Sequence, residues 1–206
     1  MIKDFDLLQR ANNDYTTIDL EHAEELAYRE LIDSIRYISL GDECGVMGNI
    51  ANIITYKGRF YIQEEQFDRV FIYDDTGRCL KKIDNKGRGP GEYLRIESID
   101  INTEKEELML VDGMSDKLFF YDLGGNFKSI HSIRYFQTEN TLCLRDSVFL
   151  HISAPSQNFG NEGLYGYALV LSKGNENFLK GYRYLPLQVG YKGGGQIFKG
   201  YERSCY

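Results

Sequence analysis

Histidine is scarce in this chain. His22, His131 and His151 are the only three, and none stands at a metal-ligand spacing such as His-Glu-x-x-His. These residues alone cannot supply several imidazoles converging on one metal. Cysteine is also sparse: Cys44, Cys79, Cys143 and Cys205 contain no Cys-x-x-Cys pair. Four scattered thiols in a chain this long do not read as a disulfide framework. Cys79 reads as a packed side chain, while pairing of Cys44 or Cys205 stays open for an oxidising compartment. No Gly-x-Ser-x-Gly elbow is present. No apolar run is long enough for a membrane span. The start, Met1-Ile2-Lys3-Asp4-Phe5-Asp6, lacks the charged-then-apolar shape of a signal peptide. That leaves either a removed leader or a cytoplasmic product. A net charge of −7 argues against a general nucleic-acid surface. The one opposing run, Arg78, Lys81, Lys82, Lys86 and Arg88, is interrupted by Asp84 and reads as a solvated outer strand. No cofactor, no metal and no nucleic-acid partner are expected.

What the chain does have is a repeat. Asp68-Arg69-Val70-Phe71-Ile72-Tyr73-Asp74 matches Asp116-Lys117-Leu118-Phe119-Phe120-Tyr121-Asp122 at an offset of 48, and Gly77 then falls on Gly125. Upstream, Phe60-Tyr61-Ile62 falls on Leu108-Met109-Leu110. A weaker third copy begins at Val148-Phe149-Leu150 and resumes at Tyr167-Ala168-Leu169-Val170-Leu171, split by an insertion from Ala154 to Gly166. Each unit consists of short β-branched and aromatic runs separated by turn residues. Asp74-Asp75-Thr76-Gly77 and Asp122-Leu123-Gly124-Gly125 are such turns: the aspartate bonds its own backbone and the late glycine takes a positive φ. A period of 48 made only of short strands suits a four-stranded propeller blade.

The spacing predicts strands over 50–56, 59–63, 70–74 and 79–83, then 96–101, 107–112, 117–122 and 127–133, then 141–145, 148–153, 167–172 and 177–184. Ile35 to Leu40 is a further strand and Asp42 to Gly48 a loop. His22 to Asp33 has the composition of a short helix, with Asp19 as its cap. Thr16 to Leu20 is a strand candidate that could complete an end blade. The fold class is thus all-β: one domain over residues 1–206, a lead-in at 1–33, and three to four blades of a partial β-propeller. The tail from Pro186 either begins a fourth blade through Gln196-Ile197-Phe198 or is poorly ordered.

The Gly87-Arg88-Gly89-Pro90-Gly91 run has no apolar side chain to bury and reads as the crossing between two blades. A phosphate-cradling loop would need Gly-Lys-Ser/Thr opening a helix. Here Glu92-Tyr93-Leu94 leads into a strand. On these residues the chain resembles the NHL-type propeller repeat. More closely, it resembles a six-bladed propeller family common as exported lipoproteins in Bacteroidetes. Asp68 to Asp74, Gly77 to Ile83, Gly87 to Tyr93 and the stretch Asp33 to Leu40 carry the likeness, which covers about Asp19 to Tyr135. It implies a propeller fold, export to the periplasm or cell surface, and no particular reaction. Some NHL-type propellers are metal-dependent lyases, but they need several axial histidines. Six blades at this period require about 290 residues, so the chain looks like a truncated member. An open arc would expose strand edges, which favour self-association.

Geometry places the candidate site. Strands of an antiparallel blade alternate in direction, so the second-to-third strand loops and the blade crossings emerge on one face. Glu64 to Phe67, Gly113 to Ser115 and Lys86 to Tyr93 lie there, with the Ala154–Tyr165 insertion. Loops on a rigid scaffold carry function disproportionately. The expected ligand-binding residues are Arg88, Glu92 and Tyr93 from the crossing and Gln157, Asn158, Phe159, Asn161 and Tyr165 from the insertion. Amides and aromatics of this kind can hydrogen-bond and stack on a sugar or a peptide. No catalytic residue is assigned. His151 alternates with Phe149 on one strand face and reads as a packed histidine. Glu64 with Glu65 would point to opposite faces, and Asp74 with Asp75 sits in a solvated turn. The function expected is a non-enzymatic binding module of the cell envelope that takes a glycan, a peptide or a protein. Two rivals are a propeller hydrolase or lyase with axis-facing acids, and a fragment that oligomerises through strand edges.

Overall fold

The computed structural model describes residues 3–4, 32–133, 138, 140–145, 147–152, 167–174, 177–183, 188–192 and 195–199. Within them the protein is all-β, without a helix. The His22–Asp33 helix and the Thr16–Leu20 strand fall almost wholly outside this set.

Three antiparallel sheets follow one another in sequence. The first contains β2 (Ile50–Tyr56), β3 (Arg59–Glu64), β4 (Arg69–Asp74) and β5 (Cys79–Ile83), in that spatial order. The second contains β6 (Ser98–Asn102), β7 (Glu107–Asp112), β8 (Lys117–Asp122) and β9 (Phe127–Ser132). The third contains β10 (Asn140–Arg145), β11 (Val148–Ile152), β12 (Tyr167–Lys173) and β13 (Asn177–Arg183). The two-residue β1 (Lys3–Asp4) pairs in parallel with β13 and makes a fifth strand. A separate hairpin joins β14 (Gln188–Lys192) to β15 (Gly195–Lys199), where a fourth blade or a poorly ordered tail was expected.

The first strands of successive sheets, β2, β6 and β10, adjoin one another. That is how consecutive propeller blades meet at their inner edges. Both faces of a middle sheet must then be covered, which explains why the strands lack polar alternation. In β4, Val70 and Ile72 turn toward the second sheet while Phe71 and Tyr73 turn away, and all four are buried. Ile99, Leu108, Leu110, Phe119 and Tyr121 meet the first sheet; Met109, Val111, Leu118 and Phe120 meet Phe149 of the third. Each such apolar side chain contributes about 1.5–3 kcal/mol relative to leaving it exposed. The core therefore lies between the sheets.

The 48-residue repeat is also a repeat of backbone geometry. Asp68 and Asp116 both take positive φ (57° and 53°) before β4 and β8. Asp74 Oδ1 accepts from the amides of Thr76 and Arg78, and Asp122 Oδ1 accepts from those of Gly124 and Asn126. Gly77 and Gly125 close these turns at φ +88° and +82°.

One expected strand is absent. Ile35 to Leu40 is irregular and pairs with no strand among the described residues. Its continuation is tied instead to the first sheet, with the Gly41 amide donating to the Gly77 carbonyl at 2.8 Å. Cys79 is packed, as expected, but it is also half of a disulfide to Cys44 with Cα atoms 6.0 Å apart. Strand order had no means of showing that proximity across 35 positions.

Candidate functional site

The glycine-rich crossing is a closed loop built on Tyr93. Lys86 and Tyr93 lie side by side. The Gly87 amide donates to the Tyr93 carbonyl at 2.9 Å, and the Tyr93 amide donates to the Asn85 carbonyl at 3.2 Å. The Tyr93 side chain, 1% exposed, meets the Phe119 ring edge-on at 6.0 Å. Its hydroxyl donates to the Asp68 carbonyl at 2.8 Å and accepts from the Asn85 amide at 3.1 Å. Burial pushes this phenol well above the usual tyrosine range. Glu92 folds back across the loop, where its Oε2 accepts from the Gly89 amide at 2.7 Å. A Cβ at Gly87 would stand 1.9 Å from that same oxygen, so a larger residue there would push the Glu92 carboxylate off the loop. Of the three crossing residues expected to bind ligand, Tyr93 is buried and shapes the loop from within, while Glu92 is exposed and reaches back over it. Arg88 is the third. It is exposed and carries no hydrogen bond or ion pair among the described residues.

Buried polar side chains bolt this loop to its neighbours. Asp68 Oδ1 accepts from the Ile96 amide at 3.1 Å, while its Oδ2 pairs with the Lys86 ammonium. Asp112 Oδ2 accepts from the Leu94 amide at 2.7 Å, and its Oδ1 caps the β7–β8 turn at the Met114 and Ser115 amides. Gln63 Nε2 donates to the Ile96 carbonyl at 3.0 Å. The β3–β4 loop (65–68), the crossing (84–97) and the β7–β8 loop (113–116) are thereby one rigid platform. No residue order announces these bolts. The recurrence of Asp68 at Asp116 was the available signal, and it marks a shared backbone conformation more than a shared partner. Asp116 has one buried carboxylate oxygen without a hydrogen bond, and burial, then the Asp112 charge, holds its carboxyl above the usual range.

Phe67 and Met114 stand out from the platform, 47% and 65% exposed. The Arg69 guanidinium lies 4.2 Å from the centroid of the Phe67 ring. Arg69 Nε lies in turn 3.8 Å from Glu64 and 3.7 Å from Asp84, close enough for charge attraction but without a hydrogen bond to either. A guanidinium lying against an aromatic ring favours one ring orientation and leaves the other face as a stacking surface. Gln157, Asn158, Phe159, Asn161 and Tyr165, the insertion residues expected at this face, lie outside the described residues.

The remaining chemistry-bearing groups are structural in these surroundings. His151, 1% exposed, has Nδ1 2.9 Å from Thr141 Oγ1 and Nε2 2.8 Å from Ser172 Oγ, and burial lowers its pKa to about 4. Burial also raises the Cys143 thiol to about 11. Among the described residues no three His, Cys, Asp or Glu side chains gather as a metal centre would need, and no helix is long and apolar enough to cross a membrane.

Comparison with known proteins sets these features in context. Residues 15–201 match a domain of unknown function, DUF4934. No curated protein matches the chain. Among solved structures, a "Putative exported protein" from Bacteroides fragilis superposes with a TM-score of 0.66 at 19% identity, over 77% of this chain and 44% of that one. Looser similarity extends to the WD40 repeats of RRP9 (TM-score 0.46, 10% identity, 66% of this chain and 38% of that one). It extends also to U3-55K (TM-score 0.47, 12% identity, 64% and 38%). The chain spans less than half the length of each of these structures. At 19% identity the likeness to the Bacteroides fragilis protein is one of fold.

Proposed function

The chain belongs to the DUF4934 family, and from that premise we propose that it is a non-enzymatic binding module of the cell envelope. Its ligand, a glycan or a peptide, docks on the platform that carries Phe67 and Arg88. The exposed Phe67 ring, backed by Arg69 on loops that buried carboxylates lock together, carries this reading. Aromatic rings held rigidly at a surface supply large contact area at little entropic cost. Arg88, unpaired among the described residues, adds a cation for a carboxylate or hydroxyl of the ligand. The insertion residues Gln157, Asn158, Phe159, Asn161 and Tyr165 belong to the same site in this reading.

Export is part of the proposal. The similar fold of an exported Bacteroides protein supports it, as does the Cys44–Cys79 bond, since disulfides persist in oxidising compartments. So does the NHL-type, six-bladed architecture implied by the Gly87–Tyr93 signature. A second reading, self-association, draws on the half-exposed Ile50 and Ile53 of the edge strand β2. Screening the protein on glycan and peptide arrays tests the first. Binding that falls at least tenfold in Phe67→Ala supports the platform, whereas a protein that captures nothing from either array overturns it.

A further inference from the structure

The outer face of the first sheet is covered by an unusual element. Phe60, Ile62, Phe71 and Tyr73 correspond, 48 positions on, to Leu108, Leu110, Phe119 and Tyr121. In the second sheet those positions are covered by a whole neighbouring sheet, through Tyr61, Val70, Ile72 and Ile83. In the first they are covered by Cys44 and Met47 of the irregular segment 36–47, a strap laid across the face.

The strap has little packing of its own. Tyr37 and Val46 point outward, 91% and 84% exposed, and only Ile38 joins Cys44 and Met47 as a half-buried apolar side chain. Its other ties are individually modest. The Gly41 amide donates to the Gly77 carbonyl at 2.8 Å, and the Tyr73 hydroxyl donates to the Gly41 carbonyl at 3.2 Å. The Cys79 amide donates to Glu43 Oε2 at 3.3 Å, and the Arg36 guanidinium donates to the Asp75 carbonyl. These are single bonds on an exposed segment, each worth little net. The covalent tie is the Cys44–Cys79 bond, which joins the middle of the strap to the first residue of β5.

We infer that the 36–47 strap is a redox-latched cover over the first sheet's outer face, fastened by Cys44–Cys79 and released by a dithiol reductant. Cys44 is half-buried and Cys79 buried, so the reductant's thiolate attacks Cys44 Sγ. The sulfur–sulfur bond breaks, and Cys79 Sγ leaves as a thiolate and takes up a proton. The reductant's second thiol then displaces Cys44 Sγ from the mixed disulfide. The protein gains two electrons and two protons, and the reductant ends as its own disulfide. Once released, the strap takes Cys44 and Met47, their cover among the described residues, off Phe60, Ile62, Phe71 and Tyr73.

Hydrogen exchange read by mass spectrometry on the full chain, oxidised or reduced with dithiothreitol, tests this. A Cys143→Ser, Cys205→Ser background removes the other thiols. Reduction should speed exchange of the Gly41 and Cys79 amides, the two that bond strap and sheet to each other, at least tenfold and create binding of the apolar dye ANS, while exchange over 98–132 stays unchanged. Cys44→Ser should reproduce both effects without reductant. Unchanged strap exchange would mean that hydrogen bonds and packing hold the cover unaided. Equal acceleration over 98–132 would mean that the bond holds the whole fold. Either result overturns the inference.

Discussion

Acidification should weaken this protein through His151, and the size of the effect can be worked out. The imidazole is wedged between Thr141 Oγ1 and Ser172 Oγ, and burial lowers it from 6.5 to about 4. The unfolded chain therefore binds a proton below pH 6.5 that the folded protein refuses until about pH 4. Stability is fully present above the unfolded value and drains away as pH falls through that window. At 1.36 kcal/mol per unit the whole shift is worth about 3 kcal/mol, and at pH 5.0 about 2 kcal/mol is lost relative to pH 7.5. With a urea m-value of about 2 kcal/mol/M, the midpoint should drop by about 1 M. Other groups titrate nearby. Burial also lowers His131, which adds loss of the same sign, while it raises Asp100 and Asp116, which oppose it. The clean quantity is therefore the difference between the native protein and His151→Gln, whose amide can meet both hydroxyls but does not titrate here. Urea unfolding of both at pH 7.5 and 5.0 should show a steeper loss in the native protein, by about 2 kcal/mol. Equal losses would show that His151 titrates normally and that the sheet interface around it admits water.

Further expectations concern the platform and the strap. Tyr93→Phe keeps the ring against Phe119 but strands the Asn85 amide and the Asp68 carbonyl, so urea denaturation should register a loss of about 1–3 kcal/mol. Asp68→Asn and Asp116→Asn should part company. The first gives up the charge paired with Lys86 and costs about 1–3 kcal/mol, whereas the second relieves a buried carboxylate with an unbonded oxygen and is neutral or stabilising in a thermal melt. Gly77→Ala should lower the melting temperature clearly. Its φ is +88° and its new Cβ would stand 2.1 Å from the Ser39 carbonyl oxygen, so the strap must lift; an unchanged melt would contradict the described path of residues 38–41.

Much of the fold could be read from residue order because its signals are local. Val70 to Tyr73 and Leu118 to Tyr121 are strand-forming in themselves, and Asp74 and Asp122 write their own turns through side-chain bonds two and four residues on. Strand limits accordingly fall within two residues of expectation in all three sheets. The face bearing Phe67, Arg88 and Met114 could also be placed, since antiparallel strands leave loops no choice of side. Ile35 to Leu40 misled because its composition is that of a strand, and strands exist only where a partner backbone is offered.

Residue order alone determined a repeating sheet architecture and the side on which its crossings emerge, because hydrogen-bonded hairpins and alternating directions follow from neighbours in sequence. Tertiary structure alone decided three further things. Tyr93 turns inward while Glu92 and Arg88 stay exposed. Asp68 and Asp112 lock separate loops together. Cys44 meets Cys79. Each depends on which distant groups come within bonding distance once the sheets stack, and burial, charge pairing and the disulfide act only at that range.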